Sequence, residues 1–267
     1  MGLIGERTSR IHETAIVSPH ASLAETSTVG PNAVIGDHVV IGDHCSVGPF
    51  TVIEGPSKIG RNNRFYGHCS IGTDPQDLKY GGEETFLEMG DDNVVREFVT
   101  INRGTSGGGG LTKLGSRNLL MTGVHVAHDC NIGSDVIFAN AATLAGHIDI
   151  GDHSTIGAFT GVHQFCRVGE HAFVGGYSVI TRDALPFVKT VGARGNAKIY
   201  GINKIGLERK GFSRDRIRAL TDAYKILFRK GLTLKQALVQ LETEIGVTED
   251  IEALILFITT SKRGFVR

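Results

Sequence analysis

A parallel β-solenoid followed by a small helical domain is the fold class this sequence predicts. Three observations predict it: an aliphatic residue at every sixth position, an excess of glycine placed by the same period, and a change to helical periodicity with cap signals beyond residue 190. Stepping by six from Ile11 gives Val17, Leu23, Val29, Ile35, Ile41, Val47, Ile53, Ile59, Phe65 and Ile71, eleven apolar positions in succession. The pattern lapses at Asp77 and Glu83 and resumes at Met89, Val95 and Ile101. After a glycine-rich insertion, Gly104 to Lys113, a second run of twelve begins at Leu114 and continues through Val126, Leu144 and Val162 to Ile180. A period of six suits neither a helix nor an alternating strand. It suits a hexapeptide repeat, each unit one short strand and one turn, with three units closing a triangular coil of about 18 residues. The aliphatic residue points into the prism, and the glycine that often follows it is expected to let the backbone turn. The in-phase positions make about nine coils, roughly 40 Å of prism at the strand spacing.

The helical part follows from local signals. Ser213 is an expected N-cap for a helix over 214–230, with Ile217, Leu220, Tyr224 and Leu227 on one face. Thr233 and Gln236 form a capping box for a second helix ending near Ile245, and a third is expected from Glu249 to Ser261. Gly231 and Gly246 suit the C-terminal ends. The expected domains are therefore 1–190 for the solenoid and 191–267 for the helices.

Composition excludes several classes. Glycine supplies 36 of 267 residues, but not at every third position, so the chain is not collagenous. Apolar content of 40% is too high for disorder. The longest apolar stretch near the C-terminus, Ile251 to Ile258, contains Glu252 and is far short of a membrane span. Met1 to Arg10 lacks a hydrophobic signal core. The cysteines, at 45, 69, 130 and 166, include no CxxC pair, so neither a disulfide framework nor a zinc ribbon is expected. A reduced cytoplasmic protein without an integral membrane segment is the expectation. Gly107 to Gly110 lacks the Gly-Lys-Ser/Thr ending of a phosphate loop and reads as a turn-out between coils. Net charge is zero, which argues against bulk nucleic-acid binding, but the signs are segregated. Residues 182–235 carry 14 Lys+Arg against 4 Asp+Glu, and residues 1–181 carry 11 against 19. A basic segment beside an acidic prism suits an acidic or phosphate-bearing partner.

The repeat is also a control for judging histidines. Seven of the eleven sit three residues after the aliphatic position, among them His147, His153 and His171, as a habit of the turn. His12, His125, His128 and His163 do not. Val126, Leu144 and Val162 are 18 apart, so they share one face, and His125, His128, His147 and His163 are expected along one edge. Such a cluster could hold a metal or act as a general base. The Asp129 carboxylate next to His128 favours the base, since it could hold the imidazole tautomer. Gly146, one coil above His128, leaves a backbone N–H free to stabilise an oxyanion.

Several stretches carry a family resemblance: Gln76-Asp-Leu-Lys-Tyr80, Gly109-Gly-Leu-Thr-Lys113, His125-Val-Ala-His-Asp129, Leu144-Ala-Gly-His147, Val162-His-Gln-Phe165 and Arg209-Lys-Gly-Phe-Ser-Arg214. Along essentially its whole length the chain resembles the UDP-N-acetylglucosamine O-acyltransferases of lipid A biosynthesis. The resemblance implies a left-handed parallel β-helix, a homotrimer with active sites between prisms, and no cofactor or metal. It implies that His128 is the base, supported by Asp129, with Gly146 at the oxyanion hole. The base would deprotonate the glucosamine 3-hydroxyl for attack on the thioester of an (R)-3-hydroxyacyl-acyl carrier protein. By the same resemblance, His125, His147, His163 and Gln164 line the sugar site. Gln76, Asp77 and Lys79 contact substrate, and Asn203 and Arg209 hold the nucleotide. The basic segment docks the carrier protein. Gly176 limits acyl length, to a chain near fourteen carbons. The chain departs from the family at Asn102, where members often carry His, at Ile205, where an acidic residue is common, and at Lys210, which replaces a second Arg. Gly195-Asn196-Ala197 lacks a histidine often found near the acyl tail. These departures bear on the sugar, 2-acetamido or 3-amino, and on chain length.

Three other readings compete, one of them a non-catalytic scaffold. The N-acyltransferase of the same pathway usually carries an extra N-terminal uridine-binding domain, for which a repeat starting at Ile11 leaves no room. Three histidines at a subunit interface resemble the gamma carbonic anhydrases, and bound zinc or iron would mark that class.

Overall fold

The computed structural model describes residues 10–267. The segment 1–9, most of the stretch read as lacking a signal core, lies outside the described residues. Short parallel strands, most of two residues, stack into three sheets of nine, eight and ten strands that form the faces of a triangular prism. Face one runs from Ile16–Val17 to Val179–Ile180, face two from Ser22–Leu23 to Arg167–Val168, and face three from Thr28–Val29 to Val188–Val191. Face three ends in an antiparallel partner, Lys198–Ile202.

The register is 18 residues per coil over most of the prism: His125 pairs with Thr143, and Thr143 with Gly161. Ser70 instead pairs with Thr100, and Thr100 with His125. The extra residues leave as two insertions, 74–85 and 103–110, and both emerge at the corner between faces one and two.

From Val29 onward each repeat buries two residues. The aliphatic residue of the six-residue step is one, as in Val126, Leu144 and Val162, at most 3% exposed. The residue four places later is the other: Cys130, Ile148 and Cys166 are all 0% exposed, and Asn63, Asn93 and Asn118 hold the same position after face two. All four cysteines belong to this second layer as free thiols. A narrow prism has room for little else, which is why no large ring beyond an occasional Phe, such as Phe65 or Phe138, enters it.

The turns correct one expectation. The glycines after the aliphatic residue do not supply the left-handed backbone. That conformation falls two residues later, on side-chain-bearing residues such as Asn32, His38, Asp129 and His147, at φ of 55–60°. The glycines are required by contact. A Cβ on Gly42 would lie 2.8 Å from the carbonyl carbon of Gly60 in the next coil, closer than side chains are found. Six of the seven turn histidines occupy the left-handed position; His20 is the exception.

The helices are α1 (Lys204–Arg209), α2 (Arg214–Phe228), α3 (Leu234–Glu244) and α4 (Glu249–Thr259). Ser213 caps α2, accepting from the Arg216 N–H, and Thr233 with Gln236 closes the capping box of α3. The short α1 carries no side-chain cap and no sequence signal of its own. The buried face of α2 is Ile217, Leu220, Ala223 and Ile226, with Tyr224 and Leu227 packed beside it. The prism core closes at Ala184, and a second core gathers the helices with Leu185, Phe187 and Val188. Among the described residues no helix is long and apolar enough to cross a membrane.

Candidate active site

The corner between faces one and two brings four of the expected residues together. His128 and Gly146 share one column of the turn, and Asp129 and His147 the next. His128 Nδ1 lies 2.7 Å from Asp129 Oδ2, and His147 Nδ1 lies 3.7 Å from the same oxygen. The two imidazoles meet edge to face with centroids 5.0 Å apart, and Phe165, one coil further, stacks on His147 at 4.5 Å. The Asp129 side chain is 1% exposed and that of His128 12%. A carboxylate this buried must be hydrogen-bonded, and its partners come from the insertion. The Thr105 N–H donates to Oδ1 at 2.7 Å, and the Thr105 hydroxyl donates to Oδ2 at 2.6 Å. The Asp129 N–H itself donates to Thr112 Oγ1 at 2.8 Å. An ionised carboxylate accepts only, so the shared proton sits on His128 Nδ1 and Nε2 is left with its lone pair.

Gly146 fits against that ring. A Cβ there would stand 2.5 Å from Cε1 and 2.8 Å from Nε2 of His128. Its N–H donates to no atom among the described residues. The corner between faces two and three is built differently. There the equivalent N–H groups are capped from the next coil, Ser116 by Ser134 Oγ at 3.0 Å and Ser134 by Asp152 Oδ1 at 2.7 Å. At the histidine corner glycine and glutamine stand where those capping side chains stand, and the donors have no partner among the described residues.

His125 and His163 are not on that edge, contrary to the sequence expectation. They belong to face one, on either side of the inward residues, because each is adjacent to its aliphatic residue. Together with Leu144, Gly161, Val179 and Arg194 they line an open groove of about 490 Å³ running along the face. His125 Nδ1 lies 2.7 Å from Thr100 Oγ1. Burial holds its proton affinity below that of an ordinary imidazole, and the neighbouring His128 pushes the same way. Gln164 is exposed at the corner, its carbonyl 3.2 Å from His163 Nδ1.

The remaining expected residues lie apart within the chain. Gln76, Asp77 and Lys79 occupy the first insertion, whose tip Leu78 is fully exposed. Arg103, itself buried, holds the base of that loop through the Gly72 carbonyl, Asp74 and the Tyr80 hydroxyl. Asn102, one of the departures, joins it by donating to the Asp74 carbonyl at 2.8 Å. Asn203 Nδ2 donates to the His171 carbonyl at 3.0 Å on the corner between faces two and three, and Arg209 is exposed at the end of α1. Gly176 lies on the third corner, beside Tyr177. Thr105 escaped sequence reasoning because its stretch read as an empty turn-out, and only its threonine hinted otherwise.

Known proteins share this architecture. A family profile described as UDP N-acetylglucosamine O-acyltransferase, domain 2, matches residues 183–266, and the bacterial transferase hexapeptide profile matches 38–73 and 147–182. An acyl-[acyl-carrier-protein]–UDP-N-acetylglucosamine O-acyltransferase of Alkalilimnicola ehrlichii is 52% identical over 97% of this chain and 100% of its own length. The chain belongs to this family of O-acyltransferases. A Stenotrophomonas maltophilia member is 46% identical over 97% of the chain and 98% of its own. The solved LpxA of Acinetobacter baumannii superposes with a TM-score of 0.93 at 42% identity, covering 97% of this chain and 100% of that one. The Moraxella catarrhalis enzyme gives 0.93 at 45%, over the same shares of the two chains. The left hand of the β-helix, expected from the resemblance, holds across the family fold.

Proposed function

We propose that this protein transfers an (R)-3-hydroxyacyl group from acyl carrier protein to the 3-hydroxyl of UDP-N-acetylglucosamine, with His128 as general base. The observation that carries this reading is the 2.7 Å contact between His128 Nδ1 and a carboxylate that is buried and held at both oxygens. Nε2 of the neutral imidazole takes the proton of the sugar hydroxyl as the oxygen attacks the thioester carbonyl. Asp129 stabilises the imidazolium that forms. The tetrahedral oxyanion accepts from the Gly146 N–H, which has no competing partner. Collapse expels the carrier thiol, which takes the proton back from His128.

The groove on face one suits an acyl chain: Leu144 and Val162 point inward and present only backbone, Gly161 has no side chain, and Ala145 and Val179 add apolar surface between His125, His163 and Arg194. Gly176 sets its reach, near fourteen carbons. His125, His147, His163 and Gln164 contact the sugar, and Gln76, Asp77 and Lys79 act with them. Asn203 and Arg209 bind the nucleotide. These residues occupy three different corners of one prism, so the site is completed by neighbouring chains in a homotrimer. The basic segment 182–235 docks the carrier protein.

An acyl-transfer assay with UDP-N-acetylglucosamine across 3-hydroxyacyl-carrier proteins of graded length tests the reading. Wild-type protein is expected to prefer a chain near fourteen carbons, and His128→Ala to lose transfer while remaining a folded trimer. Turnover like wild type in that variant would refute the base.

A further inference from the structure

The shorter insertion closes over the group that orients the base. Thr105 reaches both oxygens of Asp129, with its N–H on Oδ1 at 2.7 Å and its hydroxyl on Oδ2 at 2.6 Å. Oδ2 is also the oxygen facing His128 Nδ1 at 2.7 Å. The Gly108 backbone passes so close to the carboxylate that a Cβ there would overlap it. The insertion is anchored in turn. Ser106 Oγ donates to Glu83 Oε1 at 2.9 Å, and Glu83 Oε2 accepts from the Gly81 N–H at 2.8 Å, within the longer insertion.

We infer that Thr105 is a positioning residue for catalysis, fixing the rotation of the Asp129 carboxylate so that Oδ2 meets His128 Nδ1. The terminal torsion of an aspartate is broad and soft. A single donor leaves the carboxylate free to swing about that contact. Two donors from one residue, one on each oxygen, fix it. The imidazole then has one direction in which its Nδ1–H is satisfied, and Nε2 points accordingly. The Glu83–Ser106 bond ties this clamp to the loop carrying Gln76, Asp77 and Lys79. The inference rests on His128 being the base.

Steady-state kinetics of Thr105→Val and Thr105→Ser test it. Valine keeps the shape and the N–H donor but deletes the hydroxyl bond. Loss of one hydrogen bond to a charged group predicts a fall in kcat of about 10- to 100-fold. KM for the sugar nucleotide and the oligomeric state are expected to stay as in wild type, and the melting temperature to fall by no more than about 10 °C, with kcat falling alongside it. Serine is expected to restore kcat. A lowered melting temperature with unchanged kcat would mean a structural role and overturn the inference. Wild-type kcat in Thr105→Val alongside an inactive His128→Ala overturns it too, while leaving the base in place. Activity in His128→Ala removes the base and this inference together. If Thr105→Val does not fold, Thr105→Ala serves, since it also deletes the hydroxyl bond to Oδ2 and keeps the N–H donor to Oδ1. There a loss of kcat at unchanged KM supports the inference, and wild-type kcat overturns it.

Discussion

The backbone of Gly146 packs one coil above His128, against the Cε1–Nε2 edge of its ring, where a Cβ would stand 2.5 Å from Cε1. The absence of a side chain does two things at once. It admits the imidazole, and it leaves the adjoining N–H beside the nitrogen that takes the proton. At the corner between faces two and three a serine or aspartate in the equivalent column occupies the N–H below it.

Gly146→Ala is therefore expected to displace the His128 ring rather than unfold the prism. The neighbouring inward residues Leu144 and Ile148 are untouched. Misplacing a catalytic group by about 1 Å costs on the order of 100-fold in rate. Steady-state assays should show kcat reduced by about that factor, with a thermal melt close to wild type. Near-normal turnover would mean that the ring has room to move and that Gly146 is not part of the reacting geometry.

His171 offers a second test, of stability rather than rate. It lies on the corner between faces two and three, stacked on His153 at 4.6 Å and edge-on to Phe212 at 4.9 Å. Burial, reinforced by the nearby positive groups His153, Lys210 and Arg216 and opposed by Asp250, holds its pKa down to about 4. Glu170 and Asp152 line the same pocket. In the unfolded chain an imidazole titrates near 6.5. The unfolded state thus binds the proton first, and stability from this group falls as pH drops from about 6.5 to about 4. Glu170 works the other way. Burial and then Asp152 raise its pKa, so protonation favours the folded state. His171→Phe keeps an aromatic ring on Phe187 and Phe212 and removes the His171 penalty. The drop in melting temperature between pH 7 and pH 5 should be smaller in that variant than in wild type. An equal or larger drop would show that His171 does not supply the acid sensitivity.

What was legible in the sequence divides along the same physical lines. The prism was legible because each coil repeats its neighbour, so one inward residue in six and its phase predict register, faces and corners together. The second inward layer, Ala142 and Cys166 for example, was not, because small residues carry little periodic signal. His128, Asp129 and Gly146 were legible as exceptions to a regular pattern. Coil phase alone puts His125 and His163 on the edge, whereas their one-residue offset from Val126 and Val162 turns them onto face one. Thr105 was hidden because an insertion has no register of its own, and its contact with Asp129 spans 24 residues that only folding brings together. Helix α1 is too short to show a period.

The histidine corner also offers three donors that a metal could use, His128, Asp129 and His147, whose ligand atoms lie within 4.8 Å of one another. The acyl-transfer reading and a metal-dependent hydratase make opposite demands on them. A zinc site needs His nitrogen and carboxylate oxygen each about 2.0–2.2 Å from a shared ion. Here His128 Nδ1 and Asp129 Oδ2 face each other directly at 2.7 Å, the spacing of a shared proton, and Oδ2 accepts from Thr105 as well. Inserting a cation would break both bonds and separate the pair. Purified protein is therefore expected to carry no stoichiometric zinc or iron by elemental analysis. Dialysis against a chelator should leave acyl transfer at its starting rate. One metal per chain whose removal abolishes transfer, and whose return restores it, would replace the proton-transfer role of His128 with a ligand role.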